Sequence, residues 1–201
     1  MRIVMTPETV VLAEARRSFT TLSLFGYRVD GVVVNRIFPG GDGDPWRAGW
    51  VEAQRRVLAE VEQSFAGITR WRSTYRDREP VGVEALRAFA DEVYAGTDPL
   101  APPDGVGPLS LSRTSGEALL TLALPGATRS DVDLARHGDD LVVTVGAYRR
   151  LLTLPPGLSR HTVRGARVVD GVLQVRFGET ASEQARSEQT TSEQASEEVR
   201  R

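Results

Sequence analysis

The chain has 201 residues, 25 basic against 27 acidic, a formal net charge of −2 and no cysteine. That length suits one large domain or two small ones, and the balance of charge projects no basic field toward nucleic acid. Disulfides and thiolate metal sites are excluded. Every basic residue is arginine, so the chain supplies neither a phosphate-loop lysine nor a Schiff-base lysine. No apolar run approaches the roughly 20 residues of a membrane span. The opening "MRIVMTPE" lacks the long apolar segment of a signal peptide, so a cytoplasmic protein without an integral membrane segment is expected.

Residues 2 to 5 read as a short strand. In "TPETVVLAEARRSFTTLSLFG", Thr6 is the expected helix N-cap and Pro7 the first helical residue. Val11, Ala15, Phe19 and Leu22 recur at helical spacing, and Gly26 ends the helix. "GVVVNRIFPGG" follows, with an expected strand from about Val29 to Ile37. Its unbroken β-branched run predicts a strand covered on both faces, as in a parallel sheet flanked by helices. In open sheets of that kind ligands sit beyond the carboxyl ends of the strands, where this run stops on Asn35 and Arg36. A glycine- and aspartate-rich loop leads to a second amphipathic helix, with Trp46, Trp50, Val57, Val61 and Phe65 expected on its buried side. A third strand near Ile68 to Tyr75 and a helix from Val83 to Tyr94 complete a β-α-β-α-β-α order. Three strands are few for such a sheet, so residues 1–95 are expected to be the closing part of a larger domain.

Residues 96–108, rich in Pro, Gly and Asp, read as a linker. From 109 to 178 the period changes to two. Short strands are expected at Leu109–Ser112, Ala118–Leu124, Val132–Leu134, Leu141–Val145, Leu151–Leu154, Thr162–Arg167 and Val172–Phe177, which together predict an antiparallel sandwich. Residues 179–201 repeat "SEQAR SEQTT SEQAS" without an apolar stripe and are expected to be disordered.

The stretch "VMTPETVVLAEARRSFTTLSLFGYRVDGVVVNRIFP" resembles the later part of the arsenite-pump (ArsA) ATPases, near the tail-anchored-protein targeting ATPases. Its "TPE" turn, the Glu14/Arg17 pair and the strand ending in "VVN" carry that resemblance. It implies a nucleotide-binding P-loop NTPase-like half domain in which Asn35, with Arg36 beside it, reads the adenine of ATP. The loop Asp77–Val81, with Pro80 and Val81, would close over the base. The second half resembles the α-crystallin domain of small heat-shock proteins. That likeness rests on Leu124-Pro125-Gly126, Leu141–Val145, Leu154-Pro155-Pro156 and the hairpin "GARVVDGVL". The implied fold is thus a partial parallel α/β sheet with flanking helices, followed by an all-β α-crystallin-like sandwich.

Departures bound the implied function. No G-x-x-x-x-G-K-S/T motif occurs, and the family's catalytic aspartate and switch segments have no match. The expectation is an ATPase-related chain that contributes the adenine side of an ATP site, binds ATP weakly by itself and does not hydrolyse it alone. It carries no catalytic residue, and nothing in it assigns a Mg²⁺ or other metal site. A companion chain or a homodimer partner would complete the sheet. The alternative is a non-enzymatic interaction or chaperone-like module whose sandwich engages a client protein. Only Gly146 to Arg150 separate the strands where assembling small heat-shock proteins carry a long loop, so large oligomers are not expected.

Each residue singled out also has a plainer reading. Asn35 ends a strand and satisfies a loop backbone. Glu14 and Arg17 form a helix ion pair. Asp42 and Asp44 are solvated turn residues rather than cation ligands. "RWRSTYRDR" is a strand edge with solvated or stacked arginines rather than a nucleic-acid surface. A third reading of that segment places Arg76 or Arg78 at the border of the nucleotide. His137 and His161 lie far apart and indicate no metal site or base.

Overall fold

A computed structural model describes residues 1–41, 44–103, 107–114, 117–159 and 161–178. The chain divides into two compact units, Met1–Gly107 and Pro108–Arg201. Asp42 and the 179–201 segment lie outside the described residues.

The first unit runs β1 (Arg2–Met5), α1 (Thr9–Leu24), β2 (Gly31–Ile37), α2 (Pro45–Ser64), β3 (Thr69–Thr74) and α3 (Val83–Tyr94). Its strands pair in parallel in the order β1-β2-β3. The central strand is covered on both faces, as the Val run requires. Val32 and Val34 pack with Leu12 and Ala15 of α1 and with Val57 and Val61 of α2. Val33 packs with Trp71 and with Val93 of α3 on the other side.

Helix α1 starts later than its Thr-Pro pair predicts. Glu8 occupies the N-cap without a side-chain bond, and Thr6 instead donates to the Glu8 carboxylate at 3.2 Å. Glu8 N–H bonds the Thr6 carbonyl at 2.8 Å, a three-residue turn around Pro7 that leaves both residues ahead of the helix. Gly26 ends the helix at φ +85°. Its N–H bonds the Ser23 carbonyl at 2.9 Å and Tyr27 N–H bonds the Leu22 carbonyl at 2.8 Å, a Schellman closure. Asp44, expected as a solvated turn residue, caps α2 by accepting from Trp46 N–H at 3.0 Å, with Pro45 at the first helical position.

Trp46 and Trp50 correct the expected buried stripe, being 64% and 39% exposed. Helix α2 begins beyond the carboxyl end of β2, so its first turns lie over the loops at the rim of the sheet. The covered stripe starts only at Gln54 and continues through Val57, Val61 and Phe65. Residues 97–99, within the stretch read as a linker, are held against the first unit. Trp71 Nε1 donates to Thr97 at 3.0 Å, and Arg2 donates to the Pro99 carbonyl at 2.8 Å.

The second unit contains β4 (Leu109–Thr114), β5 (Glu117–Ala123), β6 (Val132–His137), β7 (Asp140–Val145), β8 (Tyr148–Thr153), β9 (Thr162–Val169) and β10 (Val172–Gly178). Two antiparallel sheets, β4-β5-β10-β9 and β6-β7-β8, form the expected sandwich. Leu122, Leu124, Leu141, Val143, Leu173 and Phe177 are among its fully buried side chains. The β9–β10 hairpin turns on Asp170 and Gly171, both at positive φ, as an Asp-Gly turn of that length demands. The β7–β8 connection is tighter than expected. It uses only Gly146 and Ala147, because Tyr148, Arg149 and Arg150 already pair with β7.

Candidate functional site

The carboxyl end of β2 is irregular where its sequence changes from valine to amide. Pairing with β3 passes from Val34↔Arg72 to Ile37↔Thr74, which leaves one extra residue on β2 and makes a bulge at Asn35–Arg36. Arg36 sits at φ +59°, in the left-handed region. For a residue with a Cβ that conformation costs about 1–2 kcal/mol.

Two groups hold it. Asn35 Oδ1 accepts from Arg36 N–H at 2.8 Å. Gln54 of α2, 4% exposed, accepts from Phe38 N–H at 2.8 Å and donates to the Arg36 carbonyl at 3.4 Å. Gln54 escaped the sequence reading. Its signal is a lone amide in the apolar stripe that runs on to Val57 and Val61.

The bulge opens a cleft of about 420 Å³ whose walls include Asn35, Arg36, Tyr75, Arg76, Pro80 and Phe89. Three of the four predicted site residues, Asn35, Arg36 and Pro80, are therefore brought together. Val81 is not part of the wall and is 78% exposed. The Asn35 oxygen is oriented by the Arg36 N–H, and its Nδ2 group has no partner among the described residues. The amide thus offers two donor hydrogens and a spare acceptor lone pair. Among the described residues the Arg36 guanidinium forms no ion pair.

Arg76 pairs with Glu92, lies 4.6 Å over the Phe89 ring, and shares Glu92 with Thr74 Oγ1 at 2.8 Å. Arg78 donates to Asp77 at 3.3 Å and holds that exposed carboxyl below its usual range. Arg70 and Arg72 both bond Glu62, at 2.7 and 2.9 Å. Each arginine of "RWRSTYRDR" therefore has a carboxylate beside it, where the plainer reading expects solvated or stacked groups, and Arg76 and Arg78 both line the cleft with Asn35. Glu14 and Arg17 form an exposed ion pair on α1.

Beside this cleft lies a group of rings. Phe38 stacks on Tyr75 with centroids 5.1 Å apart and planes 3° apart, and Trp46 and Trp50 each meet Phe38 at 6.0 Å. The chemistry on offer is an oriented amide, flat apolar surfaces and an unpaired cation, which fits a planar heteroaromatic ligand with an anionic group. Among the described residues no group of His, Asp or Glu could hold a metal ion, and no helix is long and apolar enough to cross a membrane. In the second unit a cleft of about 330 Å³ runs between β6 and β9, lined by Val132, Leu134 and Val168 with Arg129, Asp133 and Arg167.

Residues 1–95 match the family model described as anion-transporting ATPase, and residues 115–177 match that of the HSP20-like domain found in ArsA. A relative from Chlorobaculum tepidum, provisionally named an arsenical pump-driving ATPase, is 31% identical over 159 residues, covering 79% of this chain and 39% of that protein. An uncharacterized protein of Streptomyces coelicolor is 34% identical over 185 residues, covering 88% of this chain and 44% of its own length. The chain spans about two fifths of the length of the curated relatives it matches. Among solved structures, hspA from Xanthomonas axonopodis overlays 35% of this chain and 90% of its own at 17% identity, with a TM-score of 0.30.

Proposed function

Since the chain joins an ArsA-family ATPase region to the HSP20-like domain found in that family, we propose that the cleft at the end of β2 is the adenine end of an ATP site. The supporting observation is the oriented Asn35 amide, fixed by Arg36 N–H with its Nδ2 group unpartnered in the cleft. Adenine presents an exocyclic amine donor beside a ring-nitrogen acceptor, and one carboxamide satisfies both. Guanine offers two acceptors on the matching edge, so the same amide meets it badly.

The 201 residues contain no phosphate loop and no lysine, so the phosphates and any Mg²⁺ would be held from outside them. A companion chain would supply that part, and either it or a second copy would complete the sheet. Strand β1 is an edge whose Val4 is 64% exposed, which suits such a neighbour. By itself the chain turns over ATP negligibly. The sandwich is read as the module that receives a client protein, because the β6–β9 cleft combines apolar walls with both signs of charge.

Calorimetric titration tests the base site. ATP binds the full chain more tightly than GTP, and Asn35→Asp weakens ATP. Aspartate keeps the acceptor for Arg36 N–H but loses the donor. One good amide–base pair contributes about 1–3 kcal/mol, so a drop of roughly 5- to 150-fold is expected. Equal ATP affinity in the variant refutes the role of Asn35. No heat at millimolar ATP refutes the site.

A further inference from the structure

Tyr75 stands where two clefts meet. It lines the cleft that holds Asn35, and it also lines the adjoining one with Phe38, Trp46 and Arg47. Phe38 covers one face of its ring at 5.1 Å, with the planes 3° apart. Trp46 and Trp50 pack on Phe38 and on each other, at 6.0 and 6.2 Å. The four rings brace one another. Yet Tyr75 remains 50% exposed and Trp46 64%. Rings gathered only for core stability would be covered, and a contiguous aromatic group left open to solvent marks a binding surface.

The backing is rigid. Phe38 N–H is held by the buried Gln54 side chain, and Tyr75 N–H by the Ile37 carbonyl at 2.8 Å. The backbone that carries both rings is therefore fixed before any ligand arrives, and the Phe38 stack supports the Tyr75 ring from one side.

We propose that Tyr75 is the stacking wall of the base site: a nucleobase lies on its ring while Asn35 meets the base edge. This rests on the reading of the Asn35 cleft as a base site. The two residues divide the work. Every base has a π-face, so stacking on Tyr75 strengthens binding of all nucleotides alike. Edge pairing at Asn35 distinguishes among them. The chain Tyr75–Phe38–Trp46/Trp50 also makes indole emission a reporter of occupancy.

The test uses the full chain, ATP and GTP as probes, calorimetry, and tryptophan emission in a Trp71→Phe background where only Trp46 and Trp50 emit. Tyr75→Phe keeps the ring and binds within about twofold of the parent. Tyr75→Leu keeps apolar bulk without a π-face and weakens ATP and GTP in the same proportion, by about tenfold or more. Saturating ATP changes the Trp46/Trp50 emission in the parent and in Tyr75→Phe.

If the parent binds and Tyr75→Leu binds as well as the parent, the stacking role is overturned and the base site stands. If Tyr75→Leu loses ATP but not GTP, Tyr75 reads an edge and the stacking role is again overturned. If the parent gives no heat with either nucleotide, both readings fall. Should Tyr75→Leu not fold, as judged by circular dichroism, the emission response decides: an unchanged spectrum at saturating ATP overturns the proposal.

Discussion

Replacing Gln54 by leucine should unfold the site from behind. The side chain is 4% exposed and sits in an apolar stripe, so leucine fits and even gains some apolar burial. What it removes is the 2.8 Å bond from Phe38 N–H and the longer 3.4 Å bond to the Arg36 carbonyl. An unsatisfied buried N–H costs about 1–3 kcal/mol, the stretched second bond less, and the apolar gain offsets part, for a net loss near 2 kcal/mol. For a unit of this size that lowers Tm by roughly 8–16 °C. Arg36→Gly probes the same clamp. In the parent it relieves left-handed strain of about 1–2 kcal/mol and adds unfolded-chain entropy of about 0.5–1 kcal/mol, so it is close to neutral or slightly stabilising. Once Gln54 is gone the bulge relaxes, the strain disappears, and only the entropic loss remains. The two substitutions should therefore couple by at least about 0.5 kcal/mol. Urea unfolding followed by tryptophan emission measures this for the first unit alone, because Trp46, Trp50 and Trp71 all lie there. A Gln54→Leu stability within about 0.5 kcal/mol of the parent, or strict additivity of the pair, refutes the clamp.

Gly31→Ala should destabilise the first unit by about 1–3 kcal/mol. The new Cβ would collide with the Trp71 ring at Cζ3 and stand 2.8 Å from the Thr69 carbonyl. Trp71→Leu should reduce that penalty in a double-mutant cycle, and an unchanged urea midpoint for Gly31→Ala refutes the contact. Hydrogen bonds from Arg72, with those from Arg70, hold the Glu62 carboxyl below its usual range. A depressed folded value stabilises the protein above the unfolded pKa, and that contribution is lost as pH falls through the folded one. The pair is partly exposed, so the effect is a fraction of a kcal/mol. The stability gap between the parent and Glu62→Gln should shrink as pH drops below about 4.3, and a gap constant with pH contradicts it.

Periodicity made most of the architecture legible. The Val run announced a strand buried on both faces and Gly26 the stop of the helix before it, while the Asp170-Gly171 hairpin came from the likeness to the α-crystallin domain. The errors share a cause. Helical phase places Trp46 and Trp50 on the same side of α2 as Val57, but phase does not say where the sheet beneath the helix ends. Thr6 satisfies a cap composition, but the turn from Glu8 N–H to its carbonyl places Pro7 ahead of the helix. At the candidate site Asn35, Arg36 and Pro80 were found through family likeness, and they do line one cleft. Gln54, Tyr75 and Glu92 were not found, because their roles depend on a backbone irregularity and on contacts between distant elements.

That irregularity has a physical reason within "VVVNRI". In a regular strand the side chains at 32, 34 and 36 share one face, which here packs on α1 and α2. Without a bulge Arg36 would enter that apolar layer beside Val34, where no carboxylate of the core cluster could meet it. An unpaired buried cation costs several kcal/mol after relaxation, whereas a left-handed residue costs about 1–2 kcal/mol. The bulge is the cheaper solution. It turns Arg36 out to solvent and shifts the parity by one, so Ile37 joins Val32 and Val34 against the same core. The same step turns the Asn35 amide toward Arg36 N–H and leaves its donor group in the cleft. A polar pair at the end of an apolar run is thus enough to interrupt the ladder and present an oriented amide, and Gln54 is what makes that arrangement hold.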